Sequence, residues 1–536
     1  SRLMRLPTCD LPRLGKIADL VTSARLSRIC KERLVWALKD KDYIPKLLEL
    51  FQVCENTENT EGLRLLFDIM RGILYLDKAI LFEVMFSDEC ILGVVGCLEY
   101  NPGSAHPGLH REFLTKIANL QEVFPIRDPE LRQKIRMIFR AQYIQEIILP
   151  NLPDFEEGFL SNLNSFINSM KQEILRGLQK EDEFLSSVFA QLTDEATADE
   201  KRCQLMKFLR EFCAFSLTSP EKRDEFLQTL AKLRIFPTLE ILMGVDDLQV
   251  RSAAADILSY LTVFSPATVY EFLIQEAQQS QNDTQLLTVL FKQLIHSPSH
   301  EFGENNQLME ILRALLDPDK MLATASYLDV FGFLDVFYDR YINVLTAPLP
   351  ADTSEKYCDI GNDNFNYFPF EGPYSIDFLA DKYQTAEILA SVLQLLSFCV
   401  ERHKYHMRVY VLNKDLLRRI LMFLKSKHKF LALCALRFMR RIIGLKDEFY
   451  NRYITLGNLF EPVVNALLDH SDRCNAFKSA LMELFEFIRT EDIQFLIAHI
   501  VENFSDALES LKHIHTFQGL KTKYEQEKDR QNQKVN

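Results

Sequence analysis

Two pairs of histidines stand four residues apart, His106 with His110 and His296 with His300, and the first pair follows Cys90 and Cys97. Imidazole and thiolate are the ligands of four-coordinate zinc, so this spacing is the first to weigh. Each pair, however, brackets a proline loop (HPGLH and HSPSH), Cys90 and Cys97 share one helical stripe, and no Asp or Glu completes a set. No metal site is expected from them. The stretch CDIGNDNFN (358–366) has the acid and amide groups of a calcium loop but lacks the central Gly and the Glu at the twelfth position. Phosphate binding by backbone amides needs a Gly-rich loop, and neither GxGxxG nor GxxxxGK[ST] occurs; Gly15-Lys16 has no upstream Gly. GxSxG, HExxH and CxxC are absent as well. The carboxylate groups Asp246-Asp247, Glu181 to Glu183 and Asp194-Glu195 fall where helices start or turn, where an anion suits the helix dipole, and their expected role is capping. No catalytic residue, cofactor site or metal ligand is assigned.

The strongest chemical signal is electrostatic. Between Glu401 and Arg452 there are fourteen Lys and Arg against four acids, a net of +10 in a chain of −13, which leaves −23 for the remainder. Arg437, Arg440 and Arg441 stand at i, i+3 and i+4, opposite Leu431, Ala435, Phe438 and Ile442, so they form a basic ridge on a helix whose other face is apolar. One explanation is a solvated face paired with acids of neighbouring helices. The other is a docking surface for an acidic or phosphorylated protein segment, and Arg418, Arg419, Lys425, Lys427, Lys429, Arg437, Arg440 and Arg441 are its candidate partner-binding residues. Nucleic acid is disfavoured: the chain is acidic overall, and the nearby aromatics fit apolar stripes rather than a stacking platform.

Helices must position these groups. Gly 17 and Pro 19 in 536 residues fall well under the roughly 7% and 5% of average proteins, which disfavours many-stranded sandwiches and barrels. Apolar residues recur at three and four almost throughout, and a helix, a short polar turn and a second, small-residue-rich helix form a repeated unit. The clearest copy is 233–261, with Ile235, Leu239 and Leu242 before the Asp246-Asp247 turn and Val250, Ala254, Ile257 and Leu261 after it. A second, 413–442, has Leu416, Ile420 and Phe423, then a turn from Lys425 to Lys429, then Leu431, Ala435, Phe438 and Ile442. A third, 457–488, carries Phe460, Val464 and Leu467, a turn at Ser471-Asp472, and Ala480 and Met482; Phe460 stands 44 residues after Leu416. That period lies in the HEAT and armadillo range.

Segments 43–51 and 89–100 read as further first helices, and Pro45, Pro237 and Pro462 sit near helix starts, where a missing amide costs nothing. NPGSAHPG (101–108) reads as a loop, and Asp128-Pro129 as a cap and first helical residue. The expected fold is all-α, an armadillo/HEAT-like α-solenoid, a right-handed superhelix of stacked repeats. Its parts would be repeats over 7–346, an irregular loop insertion over 347–382, repeats over 383–518, and a charged helix or disordered exit over 519–536. Eleven Cys scattered singly, no run of about 18 apolar residues and no signal-peptide core point to the reducing cytoplasm and nucleus, with no membrane partner. Ser1 in place of an initiator Met points to a piece of a longer protein.

Longer runs carry a resemblance. FEVMFSDECILGVVGCLEY (82–100), LRQKIRMIFRAQYIQEIILP (131–150), FLSSVFAQLTDEAT (184–197), EFCAFS (211–216), MGVDDLQVRSAA (243–254), FLALCALRFMRRIIGLKDEFYNRYIT (430–455), GNLFEPVVNALLD (457–469) and GLKTKYEQEKDRQNQK (519–534) are similar to the regulatory subunit 3 family of protein phosphatase 4, the SMEK group. The resemblance runs from about residue 7 onward and departs from the commonest pattern at 347–382. It implies a non-catalytic scaffold of a serine/threonine phosphatase holoenzyme, partnered by the phosphatase 4 catalytic subunit and regulatory subunit 2, with any metal ions held by the catalytic subunit. Phosphoprotein substrates would be captured by an N-terminal EVH1-like domain of such proteins, which is not expected within these residues. The alternatives are a peptide-binding adaptor solenoid unrelated to phosphatase, disfavoured because Trp36 is the one Trp and no Asn/Trp ladder can form, and an enzyme with a novel site.

Overall fold

Asp and Asn side chains start the helices in both halves of the chain. Asp128 accepts the Glu130 amide ahead of Pro129–Tyr143, Asp247 accepts the Val250 amide ahead of Leu248–Phe264, and Asn475 accepts the Lys478 amide ahead of Ala476–Thr490. Each satisfies one of the amides that a helix start leaves without an internal partner. The computed structural model describes residues 4–40, 42–104, 108–121, 126–280, 282–296, 304–350, 383–470, 475–511 and 514–535. Among these every regular element is a helix and there is no strand. The chain divides into two units, Ser1–Leu233 and Arg234–Asn536.

In the first unit the two expected first helices are Tyr43–Asn56 and Ile91–Glu99, and they pack on each other and on Thr60–Leu74. Their approach is close at Gly96, where an added Cβ would lie 2.8 Å from the Phe51 ring. Arg111 ties the pair together: its guanidinium bonds Glu55 at 2.8 and 3.0 Å, and its Nε bonds Glu99 at 2.9 Å. A longer-range tie caps the helix Ser161–Lys180. The buried carboxylate of Asp77 accepts the amides of Asn162 at 3.0 Å and Leu163 at 2.9 Å, and its backbone oxygen accepts Asn162 Nδ2 at 2.9 Å.

In the second unit the helices stack as repeats. Leu248–Phe264, Glu304–Leu315, Tyr383–Arg402, Lys429–Gly444, Ala476–Thr490 and His515–Val535 each pack on the next. A parallel row begins with Ile235–Met243, Leu286–His296 and Ile342–Thr346. Contact between successive repeats is the pattern of an α-solenoid. The stripes expected over 233–261 and 413–442 are all buried. The third copy shifts: Ala480 and Met482 are only half-buried, and the buried face of Ala476–Thr490 is Phe477, Leu481, Leu484, Phe485 and Ile488. Reading the register from Ala480 placed the stripe one position off the larger side chains that fill the core.

The irregular loop insertion expected over 347–382 lies mostly outside the described residues; after it, Tyr383–Arg402 packs on Leu286–His296 and Glu304–Leu315. Tyr383–Arg402 is long and apolar enough to cross a bilayer by length and composition. Here it lies against Lys429–Gly444 as well, a core helix of the stack. Residues 519–535 are helical, and only the first turns of His515–Val535 are buried, at Thr516, Phe517 and Leu520. Several helices end in a left-handed residue other than Gly: Glu58, Asp77, Lys446, Asn458 and Asp492 have φ between 52° and 53°. Bonds from the following amide back across the turn, such as Asn59 to Cys54 and Ile493 to Ile488 at 2.9 and 3.2 Å, close these ends.

The Asp77 tie makes a testable case. Asp77→Ala leaves the Asn162 and Leu163 amides without their acceptor and should lower unfolding free energy by about 2 kcal/mol. Asp77→Asn, which keeps one acceptor and tolerates the left-handed backbone, should recover part of that in the same urea titration.

Candidate partner-docking face

The eight basic residues singled out above all lie in the second unit, and the structure separates them by what their charges meet. Arg419 is buried, and its Nε donates to the Pro350 carbonyl at 2.6 Å. Arg418 donates from Nε to Asp415 at 2.8 Å and from a terminal nitrogen to the Gly457 carbonyl at 2.7 Å, while Tyr453 donates to the other Asp415 oxygen at 2.6 Å. These two guanidinium groups fasten the start of Leu416–Leu421 to neighbouring chain, and neither is offered to a partner. Arg440 packs 3.3 Å over the Phe487 ring and bonds Glu483 at 3.1 and 3.2 Å; Arg441 pairs with Glu401. Those pairs join Lys429–Gly444 to the helix on each side of it.

Further pairs between elements follow the same course: Lys446 with Glu491, Arg402 with Asp319, and Arg408 with Asp447. Of the acids in these pairs, Glu483, Glu491 and Asp319 lie outside 401–452 and offset three of its ten net positive charges, in the manner of the first explanation. Exposed such pairs are each worth only about 0.2–1 kcal/mol. The remaining four, Lys425, Lys427, Lys429 and Arg437, are exposed. Lys425, Lys427 and Lys429 crowd the turn between Met422–Lys425 and Lys429–Gly444, with the Lys429 ammonium 5.2 Å from the Phe477 ring. The candidate face therefore narrows to that turn and the outer side of Lys429–Gly444.

The other residues weighed for chemistry take structural places. His110 Nδ1 meets the Tyr143 hydroxyl at 2.8 Å, and His296 Nδ1 meets the Lys292 carbonyl at 2.8 Å. His106, His300 and the 358–366 stretch lie outside the described residues. Cys90 and Cys97 are buried, and burial pushes both thiols up. No group of three or more His, Cys, Asp or Glu among the described residues is arranged to hold a metal ion. Asp194 accepts the Ala196 amide at 2.9 Å, and Glu181 accepts the Asp128 amide at 3.1 Å, so these carboxylates organise turns.

Two buried arrangements had no signature in the sequence. His403 sits between the Tyr338 hydroxyl at 2.8 Å and the Leu316 carbonyl at 2.5 Å. Since the carbonyl can only accept, Nε2 carries the proton and Nδ1 accepts from Tyr338; burial pulls this imidazole down to about 4. Glu240 and Glu276 come together beside the start of Leu286–His296, where Glu276 accepts the Leu286 amide at 3.2 and 3.3 Å. Burial raises both carboxyl groups, and the two, bonded to each other, share a proton.

Stacked helical repeats cross-braced by ion pairs make the second unit an α-solenoid. The sequence places it more narrowly. The model of the phosphatase 4 regulatory subunit 3 family matches residues 16–526, and the chain belongs to that family. It is 42% identical over 533 residues to Protein PPP4R3C1 of Mus musculus, covering 99% of this chain and 64% of that protein. It is also 42% identical over 529 residues to the serine/threonine-protein phosphatase 4 regulatory subunit 3 of Drosophila melanogaster, covering 98% of this chain and 51% of that protein. The chain thus spans between half and two thirds of the length of these relatives. An engineered protein of known structure overlays 90% of this chain at 12% identity and a TM-score of 0.28, so the fold rests on the helix packing described above.

The carboxyl pair sets a pH dependence. With its folded pKa above the ordinary value, Glu240 contributes most to stability below pH about 4.5, and that contribution is lost as pH rises from there toward the raised value. Glu240→Gln, whose amide can donate to Glu276 as the protonated acid does, should flatten that decline and raise the melting temperature at pH 8 relative to pH 5. Thermal melts across that range check it; a variant that loses stability equally at both pH values counts against the shared proton.

Proposed function

We propose that this chain is the scaffold portion of a phosphatase 4 holoenzyme, non-catalytic itself, holding the catalytic subunit and regulatory subunit 2 and directing dephosphorylation to chosen phosphoproteins. What carries the reading is family membership over residues 16–526, set on a fold of stacked helices. Exposed Lys425, Lys427, Lys429 and Arg437 supply a cationic docking surface of the kind that receives acidic or phosphorylated segments. In this reading the chain works in the nucleus and cytoplasm, where the nine described cysteines, none of them in a disulfide, would stay thiols.

Purification of the chain from cell extract, followed by identification of co-purified chains and a phosphate-release assay with and without added catalytic subunit, tests the proposal. Capture of the catalytic subunit together with regulatory subunit 2, with phosphate release only when the catalytic subunit is present, is the expected result. Release by the chain alone would overturn it. The triple charge reversal Lys425→Glu, Lys427→Glu, Arg437→Glu should weaken capture at least ten-fold at physiological salt, with little change in melting temperature. Unchanged capture would remove the docking role of this turn.

A further inference from the structure

One helix in each of four successive repeats of the second unit presents a large apolar side chain at its second residue. The helices are Tyr327–Val336, Lys404–Asn413, Glu448–Leu456 and Gln494–Leu508, and the residues are Leu328, Tyr405, Phe449 and Phe495, exposed by 80%, 55%, 58% and 53%. The helices lie side by side. Phe331 stacks on Tyr405 at 6.2 Å and Asp335 accepts from His406 at 2.8 Å, joining the first two; the second packs on the third and the third on the fourth. The apolar groups are therefore rungs of one ladder, not scattered surface residues.

The spacing of the rungs is set by Arg408. Its guanidinium lies 5.9 Å from the Tyr405 ring centre and 4.6 Å from that of Phe449, and bonds Asp447 at 2.7 Å, the cap of the helix that carries Phe449. The two rings are thus no more than about 10.5 Å apart, near the distance between neighbouring helix axes and near the roughly 9 Å that three residues rise in a polyproline II helix, whose every third side chain falls on one face. Arg408 is wedged between two aromatic faces and is held there by a carboxylate, so the rungs are fixed before anything binds. Lys404 stands beside Tyr405, and Arg452 stands one helical turn after Phe449; both are exposed, and both lie in the 401–452 stretch whose net charge is +10. Glu448 is the exposed acid beside them.

We propose that this ladder binds an acidic segment of a partner protein in the polyproline II conformation, with an apolar side chain at every third residue. Each apolar side chain meets one rung, and the acids between them face the exposed Lys404 and Arg452. The surface goes beyond the docking turn proposed above and uses neither Lys425, Lys427 nor Arg437, so the fate of each proposal is read separately.

Fluorescence anisotropy with a fluorescein-labelled peptide of two copies of Phe-Glu-Asp-Leu-Glu-Asp tests this on the full chain. The control peptide has the same residues with the apolar ones gathered at one end. Binding of the repeating peptide at least ten-fold tighter than the control, and at least ten-fold weaker binding by Tyr405→Ser/Phe449→Ser/Phe495→Ser, is expected. The rungs are more than half exposed, so circular dichroism and melting should show that the variant folds; if it does not, Phe495→Ser alone, away from Arg408, should weaken binding by at least three-fold. Failure of the repeating peptide to bind, equal binding of both peptides, or equal binding by variant and unaltered chain would overturn the proposal. So would self-association of the unaltered chain that the triple substitution abolishes, which would assign the ladder to a second copy.

Discussion

A helical hairpin of this chain has apolar residues on more than one face and too little of its own mass to cover them. Lys429–Gly444 shows the constraint. Leu431, Ala435, Phe438 and Ile442 are buried, and the helices that bury them come from the repeat before and the repeat after. Burial of a single such side chain contributes on the order of 1.5–3 kcal/mol, and none of it is available to an isolated hairpin. Every other feature of the second unit is subordinate to this mutual cover: which side chains are left outside, which cations find acids, and which surfaces repeat.

Ion pairing follows the stacking rather than causing it. Arg440 and Arg441 reach opposite ways along the row of helices, to Glu483 and Glu401, because the helices are already adjacent. A charge excess visible in the sequence is in this way partly neutralised locally, by acids that the stacking brings from Asp319, Glu483 and Glu491.

The repeat architecture was legible because burial leaves a periodic trace: the stripes at 233–261 and 413–442 are the observed cores. Where Ala and Met occupied part of a stripe, at 480 and 482, the trace misled by one position, since small side chains do not mark a face strongly. The fate of individual arginines was not legible. Arg419 and Arg437 are alike in sequence, and only the fold brings the Pro350 carbonyl to one and solvent to the other. Glu240 and Glu276 are far apart along the chain and meet only through tertiary packing. The ladder did leave a signal, since Tyr405, Phe449 and Phe495 recur at the repeat period, but an exposed aromatic residue in a sequence looks like a core one until its helix is oriented.

The helix ends closed by Glu58, Lys446, Asn458 and Asp492 carry a consequence for the denatured chain. Glycine is the usual occupant of such a bend, and it brings the freest backbone of any residue to the unfolded ensemble. A side chain in its place costs roughly 1 kcal/mol of local strain when folded, yet it narrows what the unfolded chain can explore. A protein of 536 residues with Gly 17 therefore surrenders less disorder on folding than its length suggests. A stack of repeats, in which each repeat covers its apolar face only with its neighbours, is where that economy of disorder matters most.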